Sequence, residues 1–163
     1  MKGKQVVRQP DAQFSSKKLG GPSLIVEVAW TQSPKNLQKL AHDYILGTNE
    51  EVRTVIGVDV NTSRGKGARV SVWRPVYDKD KNAVGVGCDS TEIRSKDGVK
   101  NPDPKAGLRL TLEDFAYDRN PGQYPFLNST NVFIPLDDLV SMLEESEEAQ
   151  EDFKAEQPRR TSG

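Results

Sequence analysis

Three consecutive stretches decide the fold: SLIVEVAW (residues 23–30), TQSPKNLQKLAHDYILGTNEE (31–51) and VRTVIGVDVN (52–61). The first sets Leu24, Ile25, Val26, Val28 and Trp30 around a single charge, Glu27, and reads as a strand buried on both faces. In the second, Ser33 is a fitting N-cap and Pro34 a fitting first helical residue. Leu37, Leu40, Ala41, Tyr44 and Ile45 then recur at the spacing of one helix face, and Gly47 is the expected stop. The third is again a strongly apolar strand.

Outward from this unit, VVRQPDAQF (6–14) alternates weakly and contains Pro10, the pattern of a short edge strand. SSKKLGGPS joins it to the strand that follows with turn chemistry, suggesting a hairpin. RVSVWRPVY (69–77) is a third strong strand, and SRGKGAR before it a flexible basic turn. VGVGCDSTEIR (84–94) is a weaker extended stretch, and KDGVKNPDPKAG a long polar loop. LRLTLEDF (108–115) and NVFIPL (131–136) read as short strands, and PLDDLVSMLEESEEAQEDF as a second helix with its apolar stripe at Leu136, Leu139, Val140 and Leu143. The order predicts an α/β domain, a mixed β-sheet core with a flanking amphipathic helix, over residues 1–143. Residues 144–163 are expected to form an acidic, disordered tail.

Composition narrows the class. The chain has 163 residues, 34% apolar and 29% charged, and a mean hydropathy of -0.68, which places it at the polar end of the globular range as one domain. Its single cysteine, Cys88, excludes a disulfide framework, and its single histidine, His42, excludes His-His metal centres. No apolar run is long enough to span a membrane, and the N-terminus shows no secretory pattern, so an intracellular location, cytoplasmic or nuclear, is expected. Net charge is -1 but uneven. Residues 1–100 carry 17 basic and 11 acidic side chains, and residues 101–163 carry 6 and 13. A mildly basic body with an acidic end is compatible with a polyanion such as DNA.

The carboxylate inside SLIVEVAW is the chemical anomaly. A lone ionised Glu in a buried strand is costly unless it is paired, binds a metal or points out at a sheet edge. Alternation puts Leu24, Val26, Val28 and Trp30 on one face and Ile25, Glu27 and Ala29 on the other. Asp11, sixteen residues before Glu27, follows Pro10 in the preceding strand. Adjacent strands can bring the two carboxylates together, and such a pair suits a hard divalent ion such as magnesium, with water completing the shell. Asp59 is a similar anomaly near the end of the next long strand and a candidate third acid. His42, beside Asp43, reads as a helix-surface residue and Cys88 as a small core residue. VGVG lacks the spacing of nucleotide-binding glycine loops, so no small-molecule cofactor is expected.

QPDAQF followed by PSLIVEVAW resembles the PD-(D/E)XK nuclease core of the restriction endonuclease-like superfamily, in particular its cyanobacterial and fungal restriction-endonuclease-type proteins. The resemblance covers residues 6–77 and, in element order alone, 108–150. It implies a metal-dependent phosphodiester hydrolase acting on DNA, with Asp11 and Glu27 as the acids holding Mg2+ or Mn2+. The superfamily's lysine would stand two residues after Glu27, where this chain has Ala29, so the resemblance moves that role to Lys35 or Lys39 on the following helix. Arg64, Lys66 and Arg69, around the glycines of SRGKGAR, are the expected phosphate contacts. The family's helix ahead of the first core strand has no counterpart, as expected of a truncated chain or of a partner that supplies it. Members are often dimeric, so a homodimer is an expectation as well. Two other classes fit: a nuclease-type fold without catalysis that binds nucleic acid or protein, and an interaction module using the acidic helix from residue 136.

Overall fold

The structure is a computed structural model that describes residues 9–16, 21–30, 36–48, 51–61, 65–115 and 130–157. A five-stranded mixed sheet runs in the order β1 (Ala12–Ser16), β2 (Gly21–Trp30), β3 (Thr54–Asn61), β4 (Gly67–Tyr77) and β5 (Ala83–Arg94). β1 and β2 are antiparallel, β2 and β3 parallel, and the remaining pairs antiparallel. The parallel step needs a crossover, and α1 (Leu37–Gly47) lies within it. A two-stranded antiparallel sheet, β6 (Gly107–Thr111) and β7 (Asn131–Pro135), carries the short α2 (Leu112–Phe115) and leads into α3 (Leu136–Glu156). The architecture is α/β, as the order of apolar segments predicts.

Both faces of the five-stranded sheet are covered, which is why β2 and β3 are apolar for most of their length, with Glu27 and Asp59 the charged exceptions. On one face Ala41 and Ile45 of α1 pack over Ile25, Val55 and Trp73. On the other, Leu108, Leu110, Leu136 and Leu143 close over Leu24, Ile56, Val70 and Val72. Glycine matters at Gly57: a Cβ there would lie 2.5 Å from the Trp73 ring and 3.1 Å from Leu37 Cδ1. The bare backbone lets the indole and α1 lie flat on the sheet. Among the described residues no helix is long and apolar enough to cross a membrane.

Several element ends differ from expectation. The cap of α1 is Asn36, whose Oδ1 accepts from the Lys39 amide at 3.0 Å. Helix α1 therefore starts at Leu37; Ser33 and Pro34 lie outside the described residues. At its other end the Thr48 hydroxyl donates to the Tyr44 carbonyl at 2.6 Å and accepts from the Val52 amide at 3.2 Å, so a threonine closes the helix just beyond Gly47. LRLTLEDF is a strand only to Thr111; the chain then coils because the Asp114 carboxylate accepts the Thr111 amide at 2.8 Å. Residues 144–156 are helical: the expected second helix runs through 144–153 and on into the tail expected as disordered. They are rich in Glu, a strong helix former, and Glu147 pairs with Arg94 of β5 at 2.6 Å. VGVGCDSTEIR, expected as a weaker extended stretch, is extended and forms most of a 12-residue strand, β5.

Candidate functional site

The β1–β2 ladder pairs Ala12 with Val26 and Gln13 with Ile25. Asp11 lies one residue before the first pair, outside β1, and is exposed. Asp11 completes the ladder through its side chain: Oδ2 accepts the Val28 amide at 2.7 Å. The β2 alternation expected from sequence holds. Ile25, Glu27 and Ala29 face α1, and Glu27 is only 3% exposed. Its Oε1 accepts a hydrogen bond from the Tyr44 hydroxyl at 3.0 Å. Tyr44 sits one turn from the buried Ala41 and one residue before the buried Ile45. The amphipathic face of α1 therefore delivers a phenol to a carboxylate in the middle of a central strand. Across the parallel pairing Glu27 faces Gly57, whose missing side chain leaves the Trp73 ring as the neighbouring wall.

A second polar row lies two residues further along the same face. Ala29 pairs with Asp59, Asp59 with Arg69, and Arg69 with Glu92. Asp59, Arg69 and Glu92 are exposed, so Asp59 sits at the open end of β3, beside rather than beneath α1, and Arg69 shares the face that carries Glu27. Ala29, at the position where a lysine belongs in the PD-(D/E)XK pattern, is 4% exposed. Lys39 is not brought to the acids: its Nζ lies 2.8 Å from Asp43 one turn on, with the side chain 63% exposed. Lys66 is exposed next to the Gly65 turn. Lys35 and Arg64 lie outside the described residues. His42 Nδ1 is 2.8 Å from the Gln38 carbonyl within the helix, and Cys88 is exposed rather than in the core.

The opposite face holds a cluster the sequence reading passed over. Asp114 is buried against Arg74, which donates from Nε to Oδ1 at 2.7 Å and from Nη2 to Oδ2 at 2.9 Å. The Thr54 hydroxyl adds a bond to Oδ1 at 2.7 Å and the Thr111 amide one to Oδ2. Burial acts to raise the Asp114 pKa, but Arg74, Thr111 and Thr54 outweigh it and hold the carboxyl below its ordinary value. The hydrogen bond to Asp114 in turn raises the Arg74 pKa against desolvation. The signal was available: Arg74 inside VSVWRPVY is a charge in an apolar strand, as Glu27 is. A cleft of about 320 Å³ beside the cluster is lined by Arg53, Tyr77 and Glu113. Another, of about 390 Å³, runs between β5 and β6 past Asp89, Asn101 and Arg109. Neither contains Asp11 or Glu27.

The acids that the sequence reading names for a metal are Asp11, just before β1, and Glu27, within β2. Among the described residues no group of three or more His, Cys, Asp or Glu converges. Magnesium is held by as few as one or two carboxylates, with water and substrate phosphate completing its shell, so the residues fit that ion. They do not fit a softer metal that needs nitrogen or sulfur. The chain matches no protein-family model, no curated protein and no solved structure.

Proposed function

We propose that the Asp11–Glu27 pair is a divalent-cation site of restriction endonuclease-like type and that the protein hydrolyses DNA phosphodiesters there. The observation that carries the reading is a carboxylate, Glu27, 3% exposed inside β2, with a second acid, Asp11, bonded to the amide of the next residue of that strand, Val28. Burying such a charge costs several kcal/mol unless it is compensated. A bound Mg2+ or Mn2+ would add to the compensation that the Tyr44 hydroxyl gives. The hairpin carrying the acids, the following helix and the strand parallel to the second acid are the element order that the PD-(D/E)XK resemblance calls for. When bound, such an ion lowers the pKa of a water and stabilises charge on the phosphate.

The chain's own residues do the positioning. The Val28 amide fixes the Asp11 carboxylate, and the Tyr44 hydroxyl fixes that of Glu27. In this reading Arg69, exposed on the face that carries Glu27, meets the phosphate backbone.

A second reading has its own observation: Ala29 is buried at the lysine position and the Lys39 ammonium is engaged by Asp43. It keeps the fold and drops the hydrolysis, leaving a nucleic-acid-binding protein. Thermal unfolding with millimolar Mg2+ or Mn2+ tests the site, because an ion bound only to the folded chain raises Tm by mass action. We expect a rise for the native chain and none for Asp11→Asn or Glu27→Gln. Absence of a shift in the native chain overturns the metal site. A shift without plasmid cleavage, together with salt-dependent DNA binding, selects the second reading.

A further inference from the structure

The two edges of the five-stranded sheet are built differently. β1 has five residues, follows Pro10, and breaks register between Phe14 and Ser15. Natural sheets blunt their edges in these ways so that no foreign strand adds to them. β5 is 12 residues long and pairs with β4 without irregularity from Gly85 to Thr91. Its ends are protected. A register shift at Val76/Tyr77 leaves Val84 as an extra residue, and at the far end Asn101 binds the Glu92 carbonyl through Nδ2 at 2.8 Å and the Ile93 carbonyl through its amide at 3.1 Å. Between them, GVGCDST has no Lys, Arg or Pro, and among the described residues no strand lies beyond it.

We propose that this open run is the interface of a two-fold symmetric homodimer, two β5 strands pairing antiparallel to continue the sheet from one subunit into the other. Pairing the run 85–91 with itself puts the axis at Cys88. Gly85 then faces Thr91, Val86 faces Ser90 and Gly87 faces Asp89. Charge argues for a second copy of this chain rather than an unrelated strand. Asp89 is the only charged residue in the run, and it meets glycine instead of its own copy. The next residue across is Arg74, the β4 partner of Gly87, on the same face of the sheet as Asp89. Arg74 already approaches its own Asp89 at 3.6 Å. With no side chain at Gly87, the Arg74 guanidinium has a clear path to the Asp89 of the second subunit. Each interface holds this arrangement twice, as a two-fold axis requires.

The register makes the interface measurable. Directly opposed residues on antiparallel strands hold their Cβ atoms about 4.5–5.5 Å apart, within easy adjustment of disulfide geometry. Cys88 is exposed and the chain's single cysteine. Sedimentation equilibrium should give twice the 18.1 kDa chain mass, and mild oxidation should trap that dimer through Cys88. Cys88→Lys sets two ammonium groups face to face on the axis and should return a folded monomer whose Tm no longer depends on protein concentration, whereas Cys88→Ser should remain dimeric. In the Cys88→Ser background, Ser90→Cys places the two thiols four positions apart along the strands, about 13 Å, and should cross-link on the order of tenfold more slowly. A chain that stays monomeric across the micromolar range, a dimer indifferent to Cys88→Lys, or equal cross-linking from positions 88 and 90 each overturns the proposal.

Discussion

Each face of the five-stranded sheet buries a carboxylate, and the two are held by different chemistry. Asp114 receives both prongs of an arginine, a hydroxyl and a backbone amide. Glu27 takes a hydrogen bond from a neutral phenol, and Asp11 accepts the amide of the next residue, Val28. The first arrangement compensates a charge within the chain and ties α2 to β3 and β4. The second includes a neutral donor from α1, and it is the one our proposed cation site would use. Burial of an acid is thus uninformative until its partners are named: Arg74 makes a clasp of one, and the other is the acid we propose for a cation site.

The comparison predicts the largest stability loss on the clasp side. Arg74→Met keeps the apolar stem but leaves Asp114 buried without its cation, and removing one member of a buried pair costs about 3–5 kcal/mol. Urea unfolding should show a fall of that size. An effect under about 1 kcal/mol would mean that water, not Arg74, compensates Asp114, and the contrast with Glu27 would lose its basis. The same clasp sets an acid limit. The Asp114 pKa is lowered on folding, so the unfolded chain binds its proton first as pH falls. Its contribution is complete above the unfolded value, near 3.8, and is lost as pH drops from there through the lower folded value. Asp114→Asn should remove that part of the acid transition.

Gly57→Ala is expected to cost about 1–3 kcal/mol, since the new methyl meets the Trp73 ring and Leu37. This change sharpens the comparison, for it lifts α1 from the Glu27 side alone. Tryptophan fluorescence should report the displaced indole, while the acid limit set by Asp114 stays where it was.

How far these features were legible follows from how local their causes are. SLIVEVAW, the α1 stripe and VRTVIGVDVN announce themselves because dense apolar periodicity is read within one segment. The Glu27 anomaly was visible for the same reason. Its donor was not: Tyr44 reads as one more apolar residue of the stripe, and only packing turns its hydroxyl onto Glu27. Asp114 was hidden more deeply. LEDF reads as the end of a strand, and the groups that coil it, Thr54 and Arg74, lie 60 and 40 residues away. Nor does periodicity mark the start of α1, where Asn36 and Ser33 are equally good caps and the position at which α1 docks decides between them. The open edge of β5 appears only when strand order is known.

The smallest expected effect bears on whether the acid pair is catalytic. Lys39 and Asp43 form an exposed i, i+4 pair, a type worth about 0.3–0.5 kcal/mol. Lys39→Ala should therefore leave Tm almost unchanged, and it should also leave the metal-induced rise in Tm intact because Lys39 does not approach Glu27. If plasmid cleavage is nevertheless lost in this variant, the ammonium must leave Asp43 when DNA binds, and the lysine role rests on α1 as the PD-(D/E)XK resemblance implies. If cleavage survives, Lys39 is surface charge alone, and the transition state draws its cation from elsewhere, with Arg69 on the same face the next to replace. A native chain that binds metal without cleaving separates from both cases. Ala29 then marks a fold that kept its acids and gave up hydrolysis.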